Sequence, residues 1–228
     1  MKINGLQKLT LLDFPGKTAC IVFTPGCNFR CPFCHNASLV THIDTSSQIE
    51  ENEFFSFLEK RRRMLDGVCI TGGEPLMQNG IKEFIKKIKD MGYAVKLDTN
   101  GTYPDKLEEL IKDGLLDYVA MDIKNCKEKY ALTSGISDIV YEDIIKSINI
   151  ISNSNVDHEF RTTVTNELHT PEDIGKIAET IKGEKKYFLQ NFTDSGDVIS
   201  SEISSVSQQK LDVMLSFAKE HIPNTQIR

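Results

Sequence analysis

What this sequence lacks narrows it first. No stretch approaches the roughly 18 uninterrupted apolar residues that a membrane-crossing helix requires, which excludes a bilayer span of that kind. Basic residues are in deficit. The 27 Lys and Arg against 33 Asp and Glu leave a net charge of −6, the wrong balance for a general nucleic-acid binder, which must neutralise phosphates. The opening residues, MKINGLQKLTLLDFPGK, have too short an apolar segment and no small-residue cleavage site after it, so no export signal is expected and the cytoplasm is the expected location. Cysteines in that compartment stay reduced. Six of them, three packed into eight positions, then suggest metal or redox chemistry rather than disulfides.

What is present is 228 residues with 39% hydrophobic content, enough to bury one sizeable core. Apolar, β-rich runs at 18–24, 67–71, 94–98, 117–122, 158–164 and 186–191 read as buried strands. Amphipathic stretches near 47–63, 78–91, 104–113, 141–152 and 171–182 alternate with them, and a sixth helix is predicted over 205–221 after a serine-rich loop. Pro104 and Pro171 stand where a first helical turn begins, and Gly92, Gly114 and Gly183 stand just past the ends. Six strand–helix units imply an α/β fold with a parallel sheet, since parallel neighbours need a crossover helix. A complete eight-unit barrel takes about 250 residues. Six units therefore predict a partial, laterally open (β/α)6 barrel with a core at about 18–192, in a single domain of 1–228 that ends in a loop and helix over 193–228. A doubly wound open sheet is the alternative. Either way, functional groups gather where strands end. Cys27 follows the first run, Gly72, Gly73 and Glu74 the second, Thr99 and Asn100 the third, and Lys124 the fourth.

The cysteine spacing is C-x3-C-x2-C, with Cys27, Cys31 and Cys34 and no fourth cysteine nearby. A four-iron cluster normally takes four thiolates. Three would leave one iron open to a substrate, as an open position does in catalytic zinc sites. Other readings compete for the same residues. CPFCH matches a haem-attachment pattern, CPFC a redox dithiol activated at a helix N-terminus, and the three thiols with His35 a structural zinc site. Cys20, Cys69 and Cys126 fit ordinary core thiols. TGGEP, residues 71–75, is by itself compatible with a turn. Arg161, on a predicted buried strand, needs an anionic partner, which Asp122 or a ligand carboxylate would supply.

Taken together, the cysteine motif, TGGEP and the six-unit pattern resemble the radical S-adenosylmethionine superfamily. More narrowly, TLLDFPGKTACIVFTPGCNFRCPFCHN resembles the activases of glycyl radical enzymes, above all those of anaerobic ribonucleoside-triphosphate reductase in a form similar to the pyruvate formate-lyase activase. The likeness spans about residues 1–192. It implies a 4Fe-4S cluster on Cys27, Cys31 and Cys34, with S-adenosylmethionine chelating the remaining iron. It further implies reductive cleavage to a 5'-deoxyadenosyl radical, which takes a hydrogen atom from a glycine α-carbon of the partner, and an electron donor of the flavodoxin or ferredoxin type.

Roles for particular residues follow from the same resemblance. Gly72, Gly73 and Glu74 would receive the methionine amino group, His35 and Phe33 would lie by the adenine, and Asp98, Thr99, Asp122 and Lys124 would surround the cofactor. Arg161 would meet its carboxylate, and Asp13 and Asn36 would contact the partner's glycine loop. A bulky side chain at Gly73 is expected to block the cofactor and spare the cluster. Two departures favour the reductase over pyruvate formate-lyase as partner: LQNF, residues 189–192, where the formate-lyase activases carry a histidine, and DFPG, residues 13–16, in place of Asp-Gly-Pro-Gly. Activation of another glycyl radical enzyme, a deazaguanine-type small-molecule synthase and a Cys31–Cys34 dithiol oxidoreductase remain the alternatives.

Overall fold

The computed structural model describes residues 1–44, 46 and 48–228. Among the described residues eight strands form one sheet whose spatial order follows the chain: β1 (Gly5–Thr10), β2 (Ala19–Thr24), β3 (Gly67–Gly72), β4 (Ala94–Thr99), β5 (Tyr118–Asp122), β6 (Asp157–Val164), β7 (Tyr187–Asn191) and β8 (Gln226–Ile227). The six predicted strands are β2 to β7, all parallel, and the sheet is an open, partial barrel rather than a doubly wound one.

Two strands escaped the sequence reading. β1 lies antiparallel to β2 at one edge, with Gln7, Lys8 and Leu9 exposed, so it shows no clean apolar run. Charge on an edge strand discourages further pairing. β8 is two residues long, too short to carry a periodic signal.

Crossover helices α2 (Glu51–Lys60), α3 (Ile81–Asp90), α4 (Pro104–Lys112), α6 (Tyr141–Ser152) and α7 (Pro171–Thr180) join the parallel strands, and α8 (Gln208–Lys219) packs on α7. The short helices α1 (Ala37–Val40) and α5 (Tyr130–Ser134) complete the set. The predicted start of α2 at residue 47 lies outside the described residues. Local chemistry explains the start of α7: Pro171 occupies the first turn, and Thr170 and Asp173 cap each other's main chain reciprocally.

Strand residues alternate between two cores. Outward-facing Val22, Ile70, Leu97, Val119, Phe160 and Leu189 pack under the helices with Phe54, Phe84, Leu107, Ile148 and Ile177. The concave face holds a smaller cluster of Phe14, Ala19, Ile21, Cys69 and Tyr118. Phe14, from DFPG, closes the end of the barrel at which the parallel strands begin. Its ring lies 6.2 Å from that of Tyr118, and a Cβ on Gly67 would stand 2.8 Å from it. The concave face is thus apolar at the strands' N-terminal end and polar toward their C-terminal end.

Candidate active site

The three thiols sit at the C-terminal end of β2. Gly26 turns the chain there with a positive φ of 80° and donates its N–H to the Leu39 carbonyl at 2.8 Å. The TGGEP segment locks onto this turn: Gly73 N–H donates to Thr24 C=O at 2.8 Å, and Glu74 N–H to Gly26 C=O at 2.9 Å. Gly72, at φ +111°, leaves no room for a side chain, since a Cβ would come within 2.4 Å of Thr24 N. At Gly73 a Cβ would lie 1.8 Å from Gly26 O. This corrects the expectation that bulk at Gly73 spares the cysteine loop, for its first collision is with the residue before Cys27.

The Cys27 sulfur accepts hydrogen bonds from the Phe29 N–H at 3.4 Å and from the Asn100 amide at 3.8 Å. Arg30 braces the loop by donating to the carbonyls of Cys27 and Phe29 at 2.7 and 2.8 Å.

One cavity of about 220 Å³ collects Cys27, Cys31, Phe33, Cys34, His35, Asn36, Gly72, Gly73, Asp98, Thr99, Asp122, Lys124 and Arg161. Those are all the predicted site residues but two. Glu74 is buried beside the cavity and turned from it, accepting from Leu76 N–H at 3.0 Å, the Thr99 hydroxyl at 2.9 Å and Asn100 N–H at 2.7 Å. Burial pushes its carboxyl up to about 7 despite those bonds. Its carboxylate ties the ends of β3 and β4 together. Asp13 is exposed, beside Thr10, whose hydroxyl donates to it, in the loop at the far end of β2. A six-residue strand puts it roughly 17 Å along the barrel from the thiols.

Arg161 finds its anions within the chain. Its Nε donates to Asp122 at 2.8 Å, and the guanidinium stands 3.4 Å from Asp98. Lys124 pairs with the other Asp122 oxygen at 3.3 Å. Burial alone would push the Asp122 carboxyl up, yet the two cations outweigh it and hold it down at about 2. Lys96, almost wholly buried, pairs with Asp98. The His35 ring is stacked on Phe192, centroids 5.3 Å apart and planes 19° from parallel, and burial lowers its pKa. Asn36 donates its amide to Gly72 C=O at 3.0 Å.

Three contributors, Thr163, Gln190 and His169, were not singled out in the sequence, and Asn100 was noted there only by its place after the third run. Asn100 looks like part of an ordinary Asn-Gly turn, but its side chain reaches Asn28 at 3.0 Å as well as Cys27. Thr163 and Gln190 are register partners on β6 and β7 and line the cavity wall. His169, buried and pushed down to about 4 by desolvation, accepts the Thr165 N–H at 3.1 Å on Nδ1 and so presents an Nε2–H to Lys124 C=O at 2.9 Å. The strand alternation places Thr163 beside Arg161. Gln190 and His169 carried no signal of their own.

The rival chemistries fit this arrangement poorly. A dithiol exchanger needs an accessible thiolate. Burial instead pushes Cys31 up to about 12 and Cys27 up to about 11, and α1 is only four residues long. Among the described residues no three His, Cys, Asp or Glu side chains converge on a single ion, as a zinc site requires. A cluster spreads its thiolates over separate irons and needs no such convergence. The all-thiol donor set and the N–H···S bonds to Cys27 suit it.

A partial α/β barrel with a three-cysteine loop over a charged cavity at the C-terminal end of its strands defines an iron–sulfur enzyme of the radical-generating class. The chain belongs to the radical SAM superfamily, whose family pattern it matches over residues 21–182. It is accordingly a radical SAM enzyme, with a 4Fe-4S cluster and S-adenosylmethionine as its cofactors. It is 33% identical, over 99% of its length and 95% of the relative's, to a Methanocaldococcus jannaschii protein provisionally described as a glycyl-radical enzyme activating enzyme. To the pyruvate formate-lyase-activating enzyme of Clostridium pasteurianum it is 28% identical, covering 79% of this chain and 76% of that one. Its fold superposes on a radical SAM methyltransferase from Sphaerobacter thermophilus with a TM-score of 0.74 at 13% identity, covering 96% of this chain and 68% of the other.

Proposed function

We propose that this enzyme, acting as one domain, installs a glycyl radical on a partner enzyme, and that the partner is anaerobic ribonucleoside-triphosphate reductase. The observation that carries the reading is the end-to-end likeness to the M. jannaschii relative, provisionally described as an activating enzyme, which leaves almost no part of either chain unmatched. The reductase is chosen over other partners on LLDFPGK and on LQNF, residues 189–192.

In this reading Cys27, Cys31 and Cys34 would hold the cluster, and S-adenosylmethionine would bind beside it in the cavity. A bound, reduced cluster would supply the one electron that splits S-adenosylmethionine into methionine and a 5'-deoxyadenosyl radical able to take a glycine α-hydrogen atom. The chain's residues do the rest. Gly72 and Gly73 present main chain to the methionine end, and Glu74 acts from behind by holding Thr99 and Asn100 in place. Asp98, Asp122, Lys124 and Arg161 form a fixed charge lattice that orients the zwitterion with little reorganisation. Phe33 and the His35–Phe192 stack offer aromatic surface for the adenine. The enclosing walls limit water and stray hydrogen donors around a radical.

Asn36 lines the cavity that a glycine loop would have to enter. Asp13 would contact the partner at the other end of the barrel, where Leu11 and Leu12 are 69% and 89% exposed and offer it an apolar face. A flavodoxin- or ferredoxin-type protein would deliver the electron, in the cytoplasm.

The C. pasteurianum likeness favours a second reading, activation of pyruvate formate-lyase. Electron paramagnetic resonance on mixtures of reduced protein, S-adenosylmethionine and each candidate decides between them. A glycyl doublet on the reductase supports the proposal, and one on pyruvate formate-lyase alone transfers it to the second reading. No doublet on either, with turnover of a pterin-like substrate, replaces both with a small-molecule synthase.

A further inference from the structure

Beneath the cavity the concave face carries a second layer of charge. Glu159 and Arg161 lie two residues apart on β6 and therefore share that face. The Glu159 side chain is 2% exposed, and it is saturated from below. The Arg228 guanidinium donates to its two oxygens at 3.0 and 3.2 Å, and the Tyr118 hydroxyl donates to Oε2 at 3.0 Å. Arg228 also lies 3.4 Å from the centre of the Phe188 ring. Above this pair, Arg161 holds Asp122 at 2.8 Å, while one of its terminal nitrogens stands 3.9 Å from Glu159, beyond hydrogen-bond range.

Arg161 thus stands between carboxylates of the cavity and a carboxylate below it. We infer that Arg228 is a positioning residue: by occupying Glu159 it keeps Arg161 turned up toward Asp122 and Asp98. A buried carboxylate stripped of its hydrogen-bonded cation is strongly destabilising. The cation next nearest to Glu159 is Arg161, which reaches bonding distance by moving about 1 Å. That movement draws its Nε away from Asp122, whose remaining partner, Lys124, is the longer contact at 3.3 Å. Lys96 cannot substitute, being paired with Asp98. Lysine at 228 would substitute in part, since it lacks the planar fork that engages both oxygens of Glu159.

The consequence for cofactor binding rests on the function proposed above; the position of Arg161 does not. Arg228→Ala strips Glu159 of its cation but leaves the local main chain in place, because the side chain is 42% exposed and the bond from Arg228 N–H to Leu189 C=O, 2.9 Å, is retained. In the cluster-loaded protein, calorimetry should show S-adenosylmethionine affinity reduced about tenfold, the scale of one charge-assisted hydrogen bond, with iron content unchanged. The crystal structure of the variant should show Arg161 bonded to Glu159. Adding Glu159→Gln removes the competing charge. The double variant should return Arg161 to Asp122 and affinity to within about twofold of the parent, and Arg228→Lys should fall between.

Arg161 still on Asp122 in the Arg228→Ala crystal, or a double variant no better than the single, would overturn the inference. Parent protein that binds no S-adenosylmethionine defeats the proposed function instead, and the Arg161 position in the variant crystal still decides the positioning role.

Discussion

Gly73 lies against the main chain of Gly26 so closely that a Cβ on it would stand 1.8 Å from the Gly26 carbonyl oxygen and 3.3 Å from Cys27 N. The contact joins the two sequence signals, TGGEP and the cysteine loop, into one piece of backbone. Gly73→Ala should therefore disturb the thiols. Overpacking of this kind costs about 1–3 kcal/mol. We expect a lower thermal midpoint and a clear fall in iron bound per chain after anaerobic reconstitution. Full iron content with loss of S-adenosylmethionine binding alone would mean that Gly73 answers to the ligand and not to Gly26.

The thiols themselves separate by position. Reconstituted protein should carry about four irons per chain. Cys27→Ser, Cys31→Ser and Cys34→Ser should each abolish that content, whereas Cys69→Ser, in the apolar plug on the concave face, should reduce stability and leave iron unchanged. A normal cluster in Cys27→Ser would favour the dithiol reading.

Two buried groups give opposed pH dependence. His169 is held neutral, with its pKa pushed down from 6.5 to about 4, so the unfolded chain binds the proton more readily and stability rises with pH across that window. Glu74 is raised from 4.5 to about 7. There the folded chain keeps the proton longer, and stability falls as pH rises from 4.5 to about 7. His169→Asn should remove the first slope and expose the second. Anaerobic urea unfolding at pH 5 and 6.5 should then show the variant losing stability as pH rises, by at most about 1.4 kcal/mol per unit. A pH profile parallel to the parent's would show that His169 does not supply the opposing slope.

Much of this was legible because it is local. The six central strands are short β-rich apolar runs, and their ends deliver Cys27, Gly72, Asp98, Asp122 and Arg161 to one cavity. Strand alternation alone puts Lys96 with Asp98, and Glu159 with Arg161, on the concave face. Three-dimensional pairings were not legible. Glu74 reads as a cofactor acceptor within TGGEP, but its carboxylate is spent on Leu76, Thr99 and Asn100, the last two 25 and 26 residues away. DFPG reads as a recognition motif, and only the fold shows Phe14 sealing the barrel against Tyr118. Arg228 gives no sign of its bond to Glu159, 69 residues earlier.

On the proposed function, this chain takes a hydrogen atom from a glycine of a partner protein. The most direct measurement uses anaerobic ribonucleoside-triphosphate reductase labelled with α-deuterated glycine, incubated with the reduced, cluster-loaded protein and S-adenosylmethionine. Deuterium should appear in 5'-deoxyadenosine as the reductase acquires a glycyl signal whose doublet splitting has collapsed. Partner-independent 5'-deoxyadenosine free of deuterium, with no radical on the reductase, would contradict the account.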